Sequence, residues 1–316
     1  METGNRKLIS VVTPCYNEEL NVDLIYTKVK EVFAGIPQYD YEHIFIDNCS
    51  KDKTVPLLKE ICRSDSNVKL IVNVRNFGWI RSPYHALLQS NGDATILIVA
   101  DLQDPPELIK EFVQRWEEGY KVVIGVKTEA AESKLMFLIR SAYYNLINRL
   151  SDTELIKNYT GFGLYDRQLI SILKGIDDPY PYFRGLVSDI GFEIFRVPYH
   201  QPTRIRGIST SNFYALYDVG ILGITNHSKV PLRLATFAGF VMSMFSLLVA
   251  FIYFVYKLVF WDWFNAGQAP MVIGLFFFAS VQLLFIGIIG EYIGAIHTQI
   301  LKRPLVIEKE RINFEK

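Results

Sequence analysis

The sequence is poor in cysteine and has no excess charge of either sign. Its 316 residues include three cysteines, Cys15, Cys49 and Cys62, whose spacing is not that of a metal-binding cluster. This usage argues against a disulfide framework and predicts a reducing compartment. Basic and acidic residues number 33 each, so the formal net charge is zero. The chain therefore lacks the basic excess typical of nucleic-acid-binding proteins, and nucleic acid is not an expected partner.

Two glycine-rich phosphate-binding signatures are also missing. No Gly-x-Gly-x-x-Gly follows the first predicted strand, which disfavours a dinucleotide site. No Gly-x-x-x-x-Gly-Lys occurs, which argues against a P-loop. The N-terminus runs within a few residues into an apolar strand, without the features of a secretory signal peptide. We therefore expect the N-terminal part of the chain to stay on the cytoplasmic side.

Apolar sequence, by contrast, is abundant. Half of the residues are hydrophobic and the mean hydropathy is +0.17, which is high for a soluble protein. The excess is concentrated near the C-terminus, in two uncharged stretches at residues 234–256 and 269–290. Each is long enough to cross the hydrocarbon core of a bilayer. Buried core helices are the alternative, which the complete lack of charge at this length disfavours.

Upstream of these stretches, apolar runs alternate with segments of helical periodicity. The alternation predicts an α/β fold, with a mostly parallel sheet joined by right-handed crossovers. The predicted strands are residues 8–13, 41–46, 68–73, 94–100 and 121–126, followed by strand-like segments at 158–166 and 194–197. The predicted helices cover about residues 20–33, 54–62, 83–89, 105–118 and 133–150.

Polar clusters end three of the predicted strands. The first strand is followed by Tyr16, Asn17 and Glu18, the second by Asp47 and Asn48, and the fourth by Asp101 and Gln103. Asp47 could bind a nucleotide base or ribose, or simply begin a turn. Because the carboxyl ends of parallel strands share one sheet edge, where α/β proteins bind ligands, we expect the clusters to converge. A carboxylate beside an amide offers the oxygen ligands that Mg²⁺ prefers. A turn or helix-capping role is the alternative for Asp101.

The segment that follows Gln103 predicts the start of a helix. Asp104 is expected as the N-cap, with Pro105 at the first helical position and Glu107 at the third.

Three arginines beyond the predicted sheet, Arg140, Arg204 and Arg206, are candidates for phosphate binding. Guanidinium groups bind phosphate oxygens in a bidentate manner. For any one of them alone, a surface salt bridge or a lipid headgroup contact is the simpler interpretation.

Six short motifs follow one another along the chain. They are residues 12–19 (VTPCYNEE), 47–54 (DNCSKDKT), 75–78 (RNFG), 101–107 (DLQDPPE), 204–209 (RIRGIS) and 287–292 (GIIGEY). In order and spacing they resemble family 2 glycosyltransferases of the polyprenyl-phosphate type. These include the dolichol-phosphate mannose synthases and, more closely similar, the bacterial bactoprenol glucosyltransferases with two C-terminal spans. The resemblance covers nearly the whole chain. It implies a GT-A fold and inverting transfer of a hexose, such as glucose, from a UDP- or GDP-sugar to polyprenyl (undecaprenyl) phosphate.

The resemblance also implies roles for individual residues, carried over position by position. The residues that would hold the nucleotide are Pro14, Tyr16, Glu18 and Asp47. Those that would hold Mg²⁺ or Mn²⁺ on the diphosphate are Asp101 and Gln103. Those that would hold donor or acceptor phosphates are Arg204 and Ser209, with Lys127 and Arg140 near positions where relatives carry arginine.

The chain departs from the family pattern most clearly at Val99. The family usually has the first aspartate of an Asp-x-Asp pair there, so one expected carboxylate is missing. The change supports an alternative function, a non-catalytic membrane subunit that keeps the fold. The retained residues argue against it, namely Asp101, Gln103, Arg204 and Ser209. A processive polysaccharide synthase is disfavoured, because residues 114–116 (QRW) lack the Gln-x-x-Arg-Trp spacing of that class.

The expected organisation has four parts. A GT-A domain at residues 1–209 leads through an interfacial helix or linker at 210–231 into a membrane region at 232–300 and a cytoplasmic tail at 301–316. Transmembrane helices are expected at about 234–258 and 269–292. Basic residues flank the outer sides of this pair, so the positive-inside rule places both termini in the cytoplasm of a multi-pass inner-membrane protein. Membrane lipids are expected partners, and the resemblance also allows a homo-oligomer.

Overall fold

The computed structural model describes residues 6–128, 156–202, 230–259 and 268–314. Eight strands in these ranges form one sheet. They are β1 (Leu8–Cys15), β2 (Asp40–Asp47), β3 (Val68–Asn73), β4 (Ala94–Leu97), β5 (Val122–Lys127), β6 (Tyr159–Asp166), β7 (Ile194–Tyr199) and β8 (Glu308–Ile312).

The strand order across the sheet is β7-β5-β6-β4-β1-β2-β3-β8. The pairs β4–β1, β1–β2, β2–β3 and β5–β7 are parallel. Strand β6 runs antiparallel to both β4 and β5, and β8 runs antiparallel to β3. The predicted α/β fold with a mostly parallel sheet is therefore confirmed. The reversal of β6 brings its first residues to the carboxyl end of β4.

Helices cover both faces of this sheet. They are α1 (Val22–Ala34), α2 (Thr54–Ser64), α3 (Gly78–Leu88), α4 (Ile109–Glu117), α5 (Arg167–Lys174) and α6 (Phe183–Asp189), followed by the long α7 (Val230–Val259) and α8 (Gln268–Ile300). One apolar core lies between the sheet and α1, α2 and α4, and the other lies between the sheet and α3, α5 and α6.

The two cores follow from the side-chain alternation of the strands. Val11 belongs to one core and Val12 to the other, and Phe45 and Ile46 are divided in the same way. All four side chains are fully buried. Successive residues of a strand point to opposite faces, so a strand covered by helices on both sides has to be apolar throughout. Each such side chain contributes about 1.5–3 kcal/mol on burial.

The segment after β4 differs from the expectation. The predicted strand over residues 94–100 ends at Leu97, and the predicted N-cap Asp104 does not cap a helix. Asp104 is buried and accepts a hydrogen bond from the Tyr199 hydroxyl at 2.7 Å. A 3₁₀ turn at Pro106–Leu108 comes before α4. Asp104 thus fixes the loop to β7, and the helix begins one turn later than expected.

The predicted tail at residues 301–316 is not separate from the N-terminal domain. Its strand β8 pairs with β3 at the sheet edge, Leu70 opposite Ile312. Asn313 Nδ2 donates to the carbonyl oxygens of Cys62 at 2.7 Å and Val68 at 2.8 Å. This stretch therefore belongs to the sheet although it follows the last long helix of the chain.

The two long helices carry most of the exposed apolar surface. Within the described residues, one helical segment, Phe277–Ile300, is long and apolar enough to cross a membrane. A shorter apolar segment, Val230–Ser246, lies in α7. Two crossings thus remain a prediction. The expected helix at residues 133–150 and the interfacial segment at 210–231 fall outside the described residues, except for the last two positions of the latter.

Candidate active site

The polar clusters predicted at the strand ends meet in one cavity of about 500 Å³ at the carboxyl edge of the sheet. Residues after β1, β2 and β4 all contribute to its lining. The members foreseen from the sequence are Pro14, Tyr16, Glu18, Asn48, Asp101 and Gln103. The expected convergence of these clusters is confirmed, and a cavity of this size suits a small-molecule ligand.

Side chains of the neighbouring loop hold the loop after β1 in place. Asn17 has a left-handed backbone with φ of 55°. Its backbone nitrogen donates to Ser50 Oγ at 2.8 Å, and the Glu18 nitrogen donates to Thr54 Oγ1 at 2.9 Å. Glu18 Oε2 accepts from Asn21 at 2.6 Å. Such side-chain to backbone bonds stabilise a turn that helical or extended backbone could not make.

Asp47, predicted to hold the nucleotide, does not line the cavity. Its side chain is fully buried and accepts hydrogen bonds from the backbone nitrogen of Ser50, at 2.9 Å, and from the Ser50 hydroxyl. Burial raises the pKa of the Asp47 carboxyl, while the bonds from Ser50 counteract that rise. Ser50 Oγ in turn accepts a hydrogen bond from the Asn17 backbone nitrogen. Asp47 therefore helps to orient the loop after β1 indirectly, through Ser50.

Asn48 takes the place in the cavity wall that the sequence suggested for Asp47. Its Nδ2 donates to Asn76 Oδ1 at 2.9 Å and to the Gly78 carbonyl oxygen at 3.1 Å. Its Oδ1 accepts from the Phe77 nitrogen at 2.9 Å. An amide can donate and accept at once, whereas an ionised carboxylate can only accept. The amide thus fits this position, where an ionised carboxylate would lose both donor bonds.

Asp101 and Gln103 reach the cavity through a tight turn. Leu102 between them has φ of 59°, a region that few non-glycine residues adopt. The Gln103 backbone nitrogen donates to Asp101 Oδ1 at 3.1 Å. Val99 lines the same cavity with 37% of its surface exposed. The site therefore offers one carboxylate, that of Asp101, where an Asp-x-Asp pair would offer two.

This set of ligands fits a divalent cation only if the substrate supplies the rest. Among the described residues, no group of three or more His, Cys, Asp or Glu side chains is placed to hold a metal ion. Mg²⁺ commonly binds one or two carboxylates together with substrate phosphates. Asp101 and Gln103 fit that arrangement, with oxygen ligands on one side and open cavity on the other.

Behind this turn lies the buried carboxyl group of Asp104, whose pKa is raised. Burial raises its pKa to about 6, although the hydrogen bond from Tyr199 and the nearby Lys127 lower it. Tyr199 has its own pKa raised, by burial first and then by Asp104. The pair anchors the loop of Asp101 to β7.

The rest of the cavity lining is rich in aromatic residues and includes a cation that the sequence did not single out. Trp79 at the start of α3 is 56% exposed, while Tyr182 is buried. Phe183 and Arg184 open α6, and both line the cavity. Arg184 lies in no motif and occurs as one arginine among many, so no pattern in the sequence could have identified it.

The remaining predicted residues lie elsewhere. Lys127 is near Asp104 but does not line the cavity. Arg140, Arg204 and Ser209 lie outside the described residues. Trp116, in the QRW segment, donates to Asp166 at 2.8 Å and is not among the residues that line the cavity.

Comparisons with known proteins show which family this chain resembles. Residues 10–171 match the family described as Glycosyl transferase family 2. The uncharacterized glycosyltransferase YkcC of Bacillus subtilis is 35% identical and covers 97% of this chain and 94% of its own length. The SfII prophage-derived bactoprenol glucosyl transferase of Shigella flexneri is 31% identical over 96% of this chain and 97% of its own.

Among solved structures, glucosyl-3-phosphoglycerate synthase from Mycobacterium tuberculosis, crystallised with Mn²⁺, UDP and glucosyl-3-phosphoglycerate, is similar in part. It is 19% identical, with a TM-score of 0.44, and the match covers 69% of this chain and 78% of that protein.

Proposed function

The chain belongs to glycosyl transferase family 2 and is therefore a transferase, and from that premise we propose that it moves a hexose from a nucleotide-sugar to a polyprenyl phosphate. The observation that carries the proposal is the single cavity in which Tyr16, Glu18 and Asp101 meet. Support for the lipid acceptor comes from relatives named bactoprenol glucosyl transferase, which match nearly the whole chain.

The proposed reaction is a direct displacement at the anomeric carbon. An oxygen of the acceptor phosphate forms a bond to C1 of the sugar, and the bond from C1 to the donor diphosphate breaks with its electron pair. A phosphate monoester is largely dianionic at neutral pH, since its second pKa is about 6. It needs no general base, and the displacement inverts the anomeric centre. The protein then has to align the two substrates and exclude water.

The residues of the cavity divide this task. Tyr16, Glu18 and Asn48, at the ends of β1 and β2, would position the nucleotide. Asp101 and Gln103 would hold Mg²⁺ or Mn²⁺, which when bound would neutralise charge on the leaving nucleoside diphosphate. The turn at Leu102 keeps these two side chains on the same side of the loop.

The pairing of β8 with β3 supports the proposed membrane topology. If Phe277–Ile300 crosses the membrane, the chain before it must cross as well, because β3 and β8 lie on the same side. Among the described helices, α7 has the length for that crossing, with 30 residues. We therefore propose two crossings of the inner membrane, with the cavity and both termini in the cytoplasm.

A cysteine accessibility experiment in cells tests the topology. In a chain whose three native cysteines are replaced by serine, Asn265→Cys should react with a membrane-impermeant maleimide added outside. The matched variant Lys302→Cys should react only after permeabilisation. Equal labelling of the two positions in intact cells would contradict the two-span arrangement.

A transfer assay in detergent tests the reaction. Purified protein receives undecaprenyl phosphate and a panel of labelled UDP- and GDP-sugars, with and without Mg²⁺ or Mn²⁺. We expect one donor to yield labelled lipid, and only in the presence of metal. Metal-independent transfer would retain the reaction and reject the cation site.

The variant Asp101→Asn tests the assignment of the carboxylate. It keeps the side-chain shape and the acceptor for the Gln103 nitrogen but removes the charge. We expect transfer to fall by about 100-fold or more, since residues that merely support metal ligands already cost 10- to 100-fold. Glu60→Gln, at an exposed position on α2, is the control and should keep wild-type activity. Wild-type rates in Asp101→Asn would refute the assignment.

A further inference from the structure

The cavity has one cationic side chain among the described residues that line it. Its charged members are Glu18, Asp101 and Arg184. The proposed reaction brings a diphosphate and a phosphate monoester into this space, and both are anionic. A guanidinium is well suited to phosphate oxygens because its donors lie in a planar fork. Among the described lining residues, Arg184 is therefore the side chain best suited to bind one of these anionic groups.

Arg184 is oriented by its neighbours while some of its N–H donors remain available. Its Nη1 donates to the Tyr159 carbonyl oxygen at 3.2 Å, and its Cζ lies 5.4 Å from the centre of the Tyr182 ring. The side chain is partly exposed to the cavity. A guanidinium has five N–H donors, so these contacts fix its direction and leave donors for a ligand.

The position of Arg184 along the sheet edge separates it from the nucleotide side. Asn48 follows β2, and Asp101 follows β4, which lies beyond β1 in the strand order. Tyr159, the residue that holds Arg184, begins β6 on the far side of β4. Along the sheet edge, Asp101 thus lies between the proposed nucleotide residues and Arg184. This order matches the reaction, in which the leaving diphosphate and the attacking phosphate lie on opposite sides of the sugar.

The same wall is connected to the end of the candidate membrane helix. Gln299 Nε2, in the last turn of α8, donates to Asp178 Oδ1 at 2.8 Å. Lys302 Nζ lies 3.5 Å from Asp177 Oδ2. The segment from Asp177 leads within a few residues into α6 and Arg184. If α8 lies in a bilayer, this side of the cavity is held close to the membrane surface, where a lipid phosphate would arrive.

We propose that Arg184 binds the phosphate group of the polyprenyl phosphate acceptor, an inference that rests on the proposed function. The guanidinium would orient the attacking oxygen toward the sugar and select a lipid that carries a phosphate over the corresponding alcohol. Asp101 and the residues after β1 and β2 would serve the donor.

Saturation kinetics of Arg184→Gln and Arg184→Lys test the proposal in the transfer assay. We expect kcat/KM for undecaprenyl phosphate to fall by about 10- to 100-fold in Arg184→Gln, the usual loss for a hydrogen bond to a charged group. Affinity for the free nucleotide, measured by titration calorimetry, should change less than about twofold. Arg184→Lys should recover part of the activity because it retains the charge. Arg196→Gln, an exposed arginine on β7, is the matched control.

A binding measurement separates this proposal from the proposed function. Wild-type protein in detergent should bind undecaprenyl phosphate more tightly than undecaprenol, and Arg184→Gln should lose that preference. The wild type could transfer no sugar and still prefer undecaprenyl phosphate over undecaprenol, while Arg184→Gln loses that preference. That result would refute the proposed reaction and support the role of Arg184. An unchanged preference, or a loss of nucleotide affinity in place of lipid affinity, would overturn the role of Arg184.

Discussion

Acidification should destabilise the N-terminal domain through one buried ring, that of His43. This residue lies in the middle of β2, opposite Val11 of β1 and Val68 of β3, and is fully buried. Its Nε2 lies 2.9 Å from Thr13 Oγ1. No described residue offers a hydrogen-bond partner to Nδ1. A protonated ring would carry an N–H at both nitrogens, so one of them would remain unsatisfied in an apolar core.

The pKa of His43 is accordingly lowered from 6.5 to about 3 by burial. Between these values the unfolded chain binds a proton that the folded chain does not. The contribution of the neutral His43 ring to the free energy of unfolding is therefore fully present above about pH 6.5. It is lost progressively as the pH is lowered toward the pKa of the folded state. At pH 5, about 1.5 units below the unfolded pKa, the loss is about 2 kcal/mol. For a domain of this size that corresponds to a shift in Tm of about 4–8 °C.

The assay compares thermal unfolding at pH 7 and pH 5, followed by intrinsic fluorescence in detergent. The variant His43→Gln cannot titrate, so its Tm should fall less between the two pH values than that of the wild type. The absolute stability of the variant does not enter this comparison. His200→Gln, at an exposed histidine, is the control and should behave like the wild type. Equal shifts in the wild type and His43→Gln would refute the reasoning.

Two further predictions concern packing near the sheet. Glu42→Ala should lower the free energy of unfolding by about 3–5 kcal/mol in denaturant titrations, because it leaves Lys69 without its charge partner. Lys69 Nζ lies 2.6 Å from Glu42 Oε2, and both side chains are largely buried. The same change at the exposed Glu107 should cost under about 1 kcal/mol. Gly163→Ala should cost about 1–3 kcal/mol, since the added Cβ would lie 2.5 Å from the Val123 carbonyl oxygen. A Tm equal to that of the wild type in Gly163→Ala would show that β5 and β6 can separate locally.

Local patterns were sufficient to predict the centre of the fold. The third strand, at residues 68–73, has the predicted bounds, and the other parallel strands differ by a few residues at their ends. Buried strands consist of continuous apolar runs, which a sequence displays directly. The convergence of Tyr16, Glu18 and Asp101 could also be predicted, because parallel topology alone places strand ends at one edge.

Features that depend on distant partners could not be predicted. Strand β8 has the sequence EKERI, without an apolar run, and it exists because the edge of β3 offers unpaired backbone groups. Asp47 carries the residue type of a ligand, yet a serine three positions later binds it inside the fold. Arg184 can be identified as a cavity residue only from the residues that surround it in the structure. In each case the decisive neighbour is specified by the tertiary structure and by no local pattern.

If the acceptor is a polyprenyl phosphate, as proposed, the C-terminal contacts would bring the cavity close to it. The linker from Ile300 to Glu308 reaches at most about 28 Å, so the end of α8 must stay near the sheet. His85 of α3 holds Glu308 at 2.6 Å, and the first residues of α3 line the cavity on the side of Trp79. The end of α8 is thus connected to two walls of the cavity, through β8 and α3 on one side and through Asp178 on the other. With α8 in a bilayer, these connections would hold the mouth of the cavity at the depth of the lipid headgroups. The acceptor would then need to bring only its phosphate out of the membrane, while its polyprenyl chain stays in the hydrocarbon.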